Sequence, residues 1–178
     1  LLTLARKMVS GCDSFTILAM PLFMLSGELM NRSGITESLI RLSNALVGHL
    51  RGGLAQVSIV TSVLFAGLTG VGMADLAAIG SIMIPAMEKE GYPSGVAAGI
   101  TVATSTMGMI IPPSTPMIVY AMISGGSVGA LFMAGAIPGL LIGLTQLILV
   151  YVTSQRHGWH PKRTPFDRKL FWHDIFSG

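Results

Sequence analysis

Charge is what this sequence has least of. Only 11% of its 178 residues are charged, and from Gly91 to Gln155 there is no Asp, Glu, Lys, Arg or His. Between Gly52 and Met87 the sole residue of those types is Asp75. A water-facing domain cannot wet its surface with so little charge, whereas hydrocarbon penalises each buried charge by several kcal/mol. With a mean hydropathy of +0.70, the chain is expected to be an integral membrane protein or a large piece of one.

Other scarcities exclude whole classes of chemistry. Cys12 is the lone cysteine, so no internal disulfide can form and redox work is not expected. The four histidines, His49, His157, His160 and His173, lie at loop ends or in the tail, where they cannot assemble a zinc site at membrane depth. An intramembrane aspartyl protease needs two deep aspartates, and only Asp75 qualifies. No phosphate-binding Gly-Lys-Ser/Thr loop is present, so ATP is not handled here. The chain is read as no enzyme. Its pI near 9.4 does not point to nucleic acid, because Arg156, Lys162, Arg163, Arg168 and Lys169 cluster after the last apolar run, as topology signals do. The first residues, Leu-Leu-Thr-Leu, show neither an initiating Met nor a signal-peptide pattern, and the true start is expected upstream.

What remains reads as an all-α membrane protein. Residues 1–53 are expected to hold a transmembrane helix over 14–30, with Pro21 inside it, and an interfacial helix over 35–50. In the latter Ile35, Leu39, Leu42, Leu46 and Leu50 recur at helical spacing with Glu37, Arg41 and Asn44 between them. Residues 54–153 form the second unit. Its first part, 54–87, reads as two half-length helices around Thr69-Gly70-Val71-Gly72, a re-entrant hairpin that enters and leaves by one face. Its second, 94–123, is a helix broken at Pro112-Pro113, since each proline pushes the residue before it out of helix; a new helix can begin at Pro113. The third, 127–153, is long enough to cross. Residues 154–178 are a basic connector that puts the end of the last span in the cytoplasm. The 88–93 loop and Arg51 then share that side, while Arg6 and Lys7 fall opposite.

The two breaks are the candidate sites. At the hairpin tip, one half-helix points carbonyls and the other points N–H groups into the same space. Carbonyls with the Thr69 hydroxyl suit a small cation such as Na⁺; N–H groups suit a carboxylate. A plain helix–helix turn is the competing reading. The break Met107-Gly108-Met109-Ile110-Ile111-Pro112-Pro113-Ser114-Thr115 repeats the arrangement, against the alternative of a simple proline kink. Asp75 is either a functional carboxylate or a structural one held by its own helix end. Thr101, Thr104, Ser105 and Thr106 form a strip that lines a polar path or bonds back to its own helix. Gly67, Gly70, Gly72 and Gly80 can alternatively serve close packing, the role assigned to Gly67 and Gly80.

Four segments carry a resemblance: ARKMVSGCDSFTILAMPLFMLSGELMNRSGI, LVGHLRGGLAQVSIVTSVLFAGLTG, ADLAAIGSIMIPAMEKEGY and TSTMGMIIPPSTPMIVYAMISGGSVGALFMAGAIPGLL. In this order they resemble the large membrane subunit of TRAP transporters, the DctM type, over roughly Ala5 to Tyr151. The resemblance implies kinship to the ion transporter superfamily, built from two inverted repeats, of which this chain would be the first. It implies import of small organic acids, C4-dicarboxylates or sugar acids, driven by Na⁺ as the coupling ion and with no other cofactor. The implied partners are a periplasmic substrate-binding protein and a small four-helix membrane subunit, and the implied location is a bacterial inner membrane, crossed several times among membrane lipids. Hairpin tip and broken helix would belong to a mobile, elevator-like domain. The site carried over comprises Thr69, Gly70, Val71, Gly72, Asp75, Thr106, Gly108, Ile110, Pro112, Pro113, Ser114 and Thr115, with Na⁺ expected at Thr69, Gly70, Gly108 and Ser114. Where the family tip commonly reads Ser-Gly-Ser, this chain has Thr69-Gly70-Val71, and Val71 lacks the hydroxyl. The rival functions are a carrier of the same superfamily that needs no binding protein, and a membrane scaffold that transports nothing.

Overall fold

The structure, a computed structural model, describes residues 21–22, 25–26, 28–29 and 32–157. The span expected over 14–30 falls largely outside the described residues, as does the connector beyond His157. Six α-helices account for most of the rest: α1 (Ile35–Val47), α2 (Gly53–Thr69), α3 (Gly72–Lys89), α4 (Ser94–Ser105), α5 (Thr115–Ser124) and α6 (Val128–His157), with a 3-10 turn at Thr106–Met109. No strand occurs among the described residues.

Helix α2 is the centre. It is apolar on nearly every side and buries Ala55, Val57, Ile59, Phe65 and Ala66 completely, as a helix surrounded by others must. Neighbours α1, α3, α4 and α6 pack around it. Ile79, Met83 and Met87 of α3 and Ala97 of α4 complete the core. Two glutamines fasten α6 to this centre. Gln56 donates to the Leu147 carbonyl at 3.0 Å and Gln146 donates to the Ala103 carbonyl at 3.1 Å. In an apolar surround such side-chain-to-backbone bonds join helices that hydrophobic contrast alone does not hold together.

The interfacial helix stops at Val47 rather than at 50, the helix before the double proline gives way to the 3-10 turn after Ser105, and other bounds differ from the sequence reading as well. Thr69 and Gly72 are helical, so the hairpin tip narrows to Gly70 and Val71. Gly70 makes the reversal possible with φ 62, a left-handed conformation that caps helices and that glycine adopts without steric cost. After the double proline, helix resumes at Thr115 rather than Pro113, because Ser114 is still extended at φ −122 and ψ 123. Helix α6 runs on to His157, four residues into the stretch read as connector, since Ser154 and Gln155 are neither charged nor helix-breaking.

Helix α6 has 30 residues, about 45 Å at 1.5 Å per residue. It is the one helix among the described residues long and apolar enough to cross a membrane. One of its ends is tied to the base of α2: a methyl at Gly52 would lie 3.2 Å from Val150 Cγ1 and from Ser154 Cβ. Tyr92, in the turn after α3, also reaches the backbone of Ala55 there. Burial, with Glu90 nearby, pushes its phenol up to about 12. The start of α2, the turn after α3 and the last turns of α6 therefore share one end of the molecule.

Higher up, glycines at every fourth position of α6 receive its neighbours. Gly135 faces the Ile110 carbonyl and Met117, Gly139 faces Ile111, and Gly143 faces Val63 and Met107. The break thus seats on α6 near Gly135 and Gly139, roughly 15 Å from the Val128 end by helical rise.

Candidate ion and substrate site

The structure brings the two breaks together. The Thr115 amide donates to the Gly70 carbonyl at 3.1 Å, joining the first residue of α5 to the hairpin tip. Approach this close depends on missing side chains. A methyl at Gly70 would run into the Pro113 carbonyl, and one at Gly72 would lie 2.5 Å from the Ser105 carbonyl oxygen. These oxygens belong to backbone, which cannot swing aside.

Asp75 sits in the first turn of α3 at this contact and is 1% exposed. Its Oδ1 accepts a hydrogen bond from the Thr69 hydroxyl at 2.5 Å. The same hydroxyl lies 3.3 Å from the Phe65 carbonyl, but one proton serves one strong bond and the carboxylate is the better acceptor. Oδ2 is buried and has no hydrogen-bond partner. Nor can a cationic side chain from the enclosing elements reach it, since α2, α4, the 3-10 turn and α5 contain no Lys, Arg or His.

The remaining expected residues divide. Ser114 is fully buried and its hydroxyl donates to the Met109 carbonyl at 2.6 Å, closing the loop across the prolines. The Pro113 carbonyl faces Gly70, and the Pro112–Pro113 peptide is cis. Gly108 lies over Asp75 and Gly72. Val71 is half-buried, and its carbonyl accepts from the amides of Ala74 and Asp75. Ile110 turns away, its carbonyl toward Gly135 of α6, and the Pro112 carbonyl is 3.8 Å from where a methyl at Gly67 would stand. Thr106 is exposed and bonds back to Ala103 at 2.7 Å. Thr101, Thr104 and Ser105 do likewise, to Ala97, Thr101 and Val102. The hydroxyl strip is thus spent on its own helix.

Sequence reasoning did not find the Phe65, Met109 and Ser105 carbonyls at the contact, nor the α6 glycines behind it. The spacing of Gly135, Gly139 and Gly143 was the available signal for the latter.

This place gathers many acceptors. The first turn of α5 has spent the Thr115 amide on Gly70, and Pro116 has none to give. The first turn of α3 already carries a carboxylate. A hard monovalent cation would meet carbonyls, hydroxyl lone pairs and an unpartnered carboxylate oxygen here. Asp75 Oδ2 is the observation by which Na⁺ fits the residues present.

Two interruptions between apolar helices, brought together beside one buried carboxylate, belong to an all-α membrane protein. Comparison with known proteins narrows this. The family model for the DctM component of the tripartite ATP-independent periplasmic transporter matches residues 1–176. The large permease SiaM of a sialic acid TRAP transporter from Vibrio cholerae is 41% identical over 155 residues, covering 87% of this chain and 36% of that protein. The large permease DctM of a C4-dicarboxylate TRAP transporter from Pseudomonas aeruginosa is 44% identical over 153 residues, 86% of this chain and 36% of the relative. The 2,3-diketo-L-gulonate large permease YiaN of Escherichia coli is 37% identical over 175 residues, 98% of this chain and 41% of the relative. The chain belongs to the DctM family of TRAP transporter large permeases, a family of membrane transport components and not of enzymes. It spans little more than a third of the length of these relatives.

Proposed function

We propose that this chain is the first of two inverted repeats of a bacterial inner-membrane permease that imports a small organic acid with Na⁺. Residues 53–89 serve as a re-entrant hairpin and 94–124 as a broken helix of the moving domain, with α1 as an interfacial arm. The observation that carries this is the joined tip and break around Asp75, whose carboxylate has no cationic partner among the elements enclosing it. A bound Na⁺ supplies that charge. Thr69 holds one carboxylate oxygen in place, Ser114 fixes the loop that presents the Pro113 carbonyl, and Gly70 and Gly72 allow the approach.

The hairpin reading is supported by the shared end of α2, α3 and α6 and by the level of the tip, short of the Val128 end. The acid's own carboxylate then binds outside this contact, where the Asp75 carboxylate does not repel it. Relatives named for sialic acid, a C4-dicarboxylate and 2,3-diketo-L-gulonate point to a carboxylate-bearing cargo. The same names support a periplasmic binding protein and a small membrane subunit as partners.

The test is uptake into proteoliposomes holding the complete permease, with small subunit and binding protein supplied. Accumulation of an organic acid should need an inward Na⁺ gradient and the binding protein. Uptake without the binding protein would favour the independent-carrier reading, and no uptake of any such acid would favour a scaffold.

A further inference from the structure

Gly108 is a glycine that its backbone does not require. The glycines with positive φ are Gly34, Gly52, Gly70, Gly91 and Gly125 among the described residues, and Gly108 is not one of them. Alanine adopts its conformation without strain and is the better residue in a helical turn by up to about 1 kcal/mol. The reason for glycine is therefore space, and what fills that space is specific. A methyl at Gly108 would run into Asp75 Oδ2, with Asp75 Cγ at 3.2 Å and Gly72 Cα at 3.1 Å. Gly95 and Gly99 of α4, by contrast, have nothing within 4 Å of the same position.

We infer that Gly108 is a positioning residue for cation binding, its absent side chain being what lets the unpartnered oxygen of Asp75 stand beneath the break. This rests on the cation reading above and adds to it which residue sets the oxygen's position. Three contacts define the carboxylate. Thr69 fixes Oδ1 from α2, the Gly72–Gly108 crossing sets how near α3 lies to the 3-10 turn, and the void over Gly108 holds Oδ2. A methyl there would turn Oδ2 away from the break or lift the turn off α3. Either displacement removes an oxygen from a cation held between them, and leaves the apolar core of α2 and α3 untouched.

The test uses full-length protein purified in detergent and melted with and without Na⁺, K⁺ serving as the ionic-strength control. A ligand that binds only the folded form raises the melting temperature in proportion to its occupancy. In Gly108→Ala the half-saturating Na⁺ concentration for that rise should increase about five-fold, an effect of about 1 kcal/mol. The half-saturating Na⁺ concentration of Gly99→Ala should match wild type. An unchanged Na⁺ response in Gly108→Ala overturns the inference, as does a lowered Na⁺-free melting temperature with an unchanged response, which assigns Gly108 to packing. If Gly108→Ala does not accumulate in membranes, Asp75→Ala/Gly108→Ala should, because the carboxylate that the methyl meets is gone; failure of this pair to recover also overturns it. Wild-type protein with no Na⁺ response would instead defeat the cation reading itself.

Discussion

Helix α2 meets its neighbours at two ends, and the ends are built to opposite rules. At the base, Gly52 is wedged against Val150 and Ser154, and Tyr92 reaches the backbone of Ala55. The polar group there is neutral, and the charged residues Arg51, Lys89 and Glu90 stand at the exposed surface. At the tip, the one deep carboxylate of the region is 1% exposed with an oxygen unpartnered. Ser58, Thr61 and Gln56 along α2 also leave an oxygen without a bond. Those are neutral, and each costs about 1–3 kcal/mol. A carboxylate oxygen in the same state costs several times more unless a proton or a cation neutralises it. The base is finished by folding; in the proposed function the tip is finished by a ligand.

That contrast is broken most severely at Asp75. Asp75→Asn keeps the volume and the hydrogen bond to Thr69 but removes the charge. Na⁺-driven uptake should fall about 100-fold, the weight of about 3 kcal/mol for a lost buried charge partner, with normal amounts of protein in the membrane. Loss of the protein itself would make Asp75 a structural carboxylate.

Thr69→Val and Ser114→Ala sharpen the same point. Each removes one hydroxyl and little buried apolar area. The Na⁺ concentration for half-maximal uptake should rise about five-fold, as suits one oxygen contact worth about 1 kcal/mol. Normal Na⁺ dependence in both would show that these hydroxyls only brace the loops.

The base offers two smaller effects. Single cysteines at Arg51 and Lys89, with Cys12 replaced, should react with an impermeant thiol reagent from the same side. Labelling from opposite sides would mean that 53–89 crosses the membrane. Tyr92→Phe should cost about 1 kcal/mol of stability and leave uptake and Na⁺ dependence unchanged. The phenol's raised pKa adds a sign: its contribution is present below about pH 10 and fades as pH climbs toward about 12.

The order in which residues became legible follows from what a local pattern can carry. Gly70 and Pro112-Pro113 announce breaks because backbone chemistry is a property of single residues, and the helices on either side follow from unbroken apolar runs. The sequence places Thr69 and Gly72 in the tip, whereas they are helix ends, since glycine-rich stretches blur the last turn. Asp75 stood out by charge alone. Nothing local shows that Thr115 meets Gly70, or that Gly108 covers Asp75, because those partners lie more than thirty residues apart in the sequence and belong to different periodicities. The hydroxyl strip from Thr101 to Thr106 reads from sequence as either a polar path or back-bonded, and its side chains bond to their own helix.

Equilibrium binding of radioactive Na⁺ to the purified full-length protein, without organic acid or binding protein, tests the central claim most directly. Wild type should bind Na⁺ saturably, with Asp75→Asn weakened about 100-fold and Tyr92→Phe unaltered. Equal Na⁺ binding by wild type and Asp75→Asn would contradict the account.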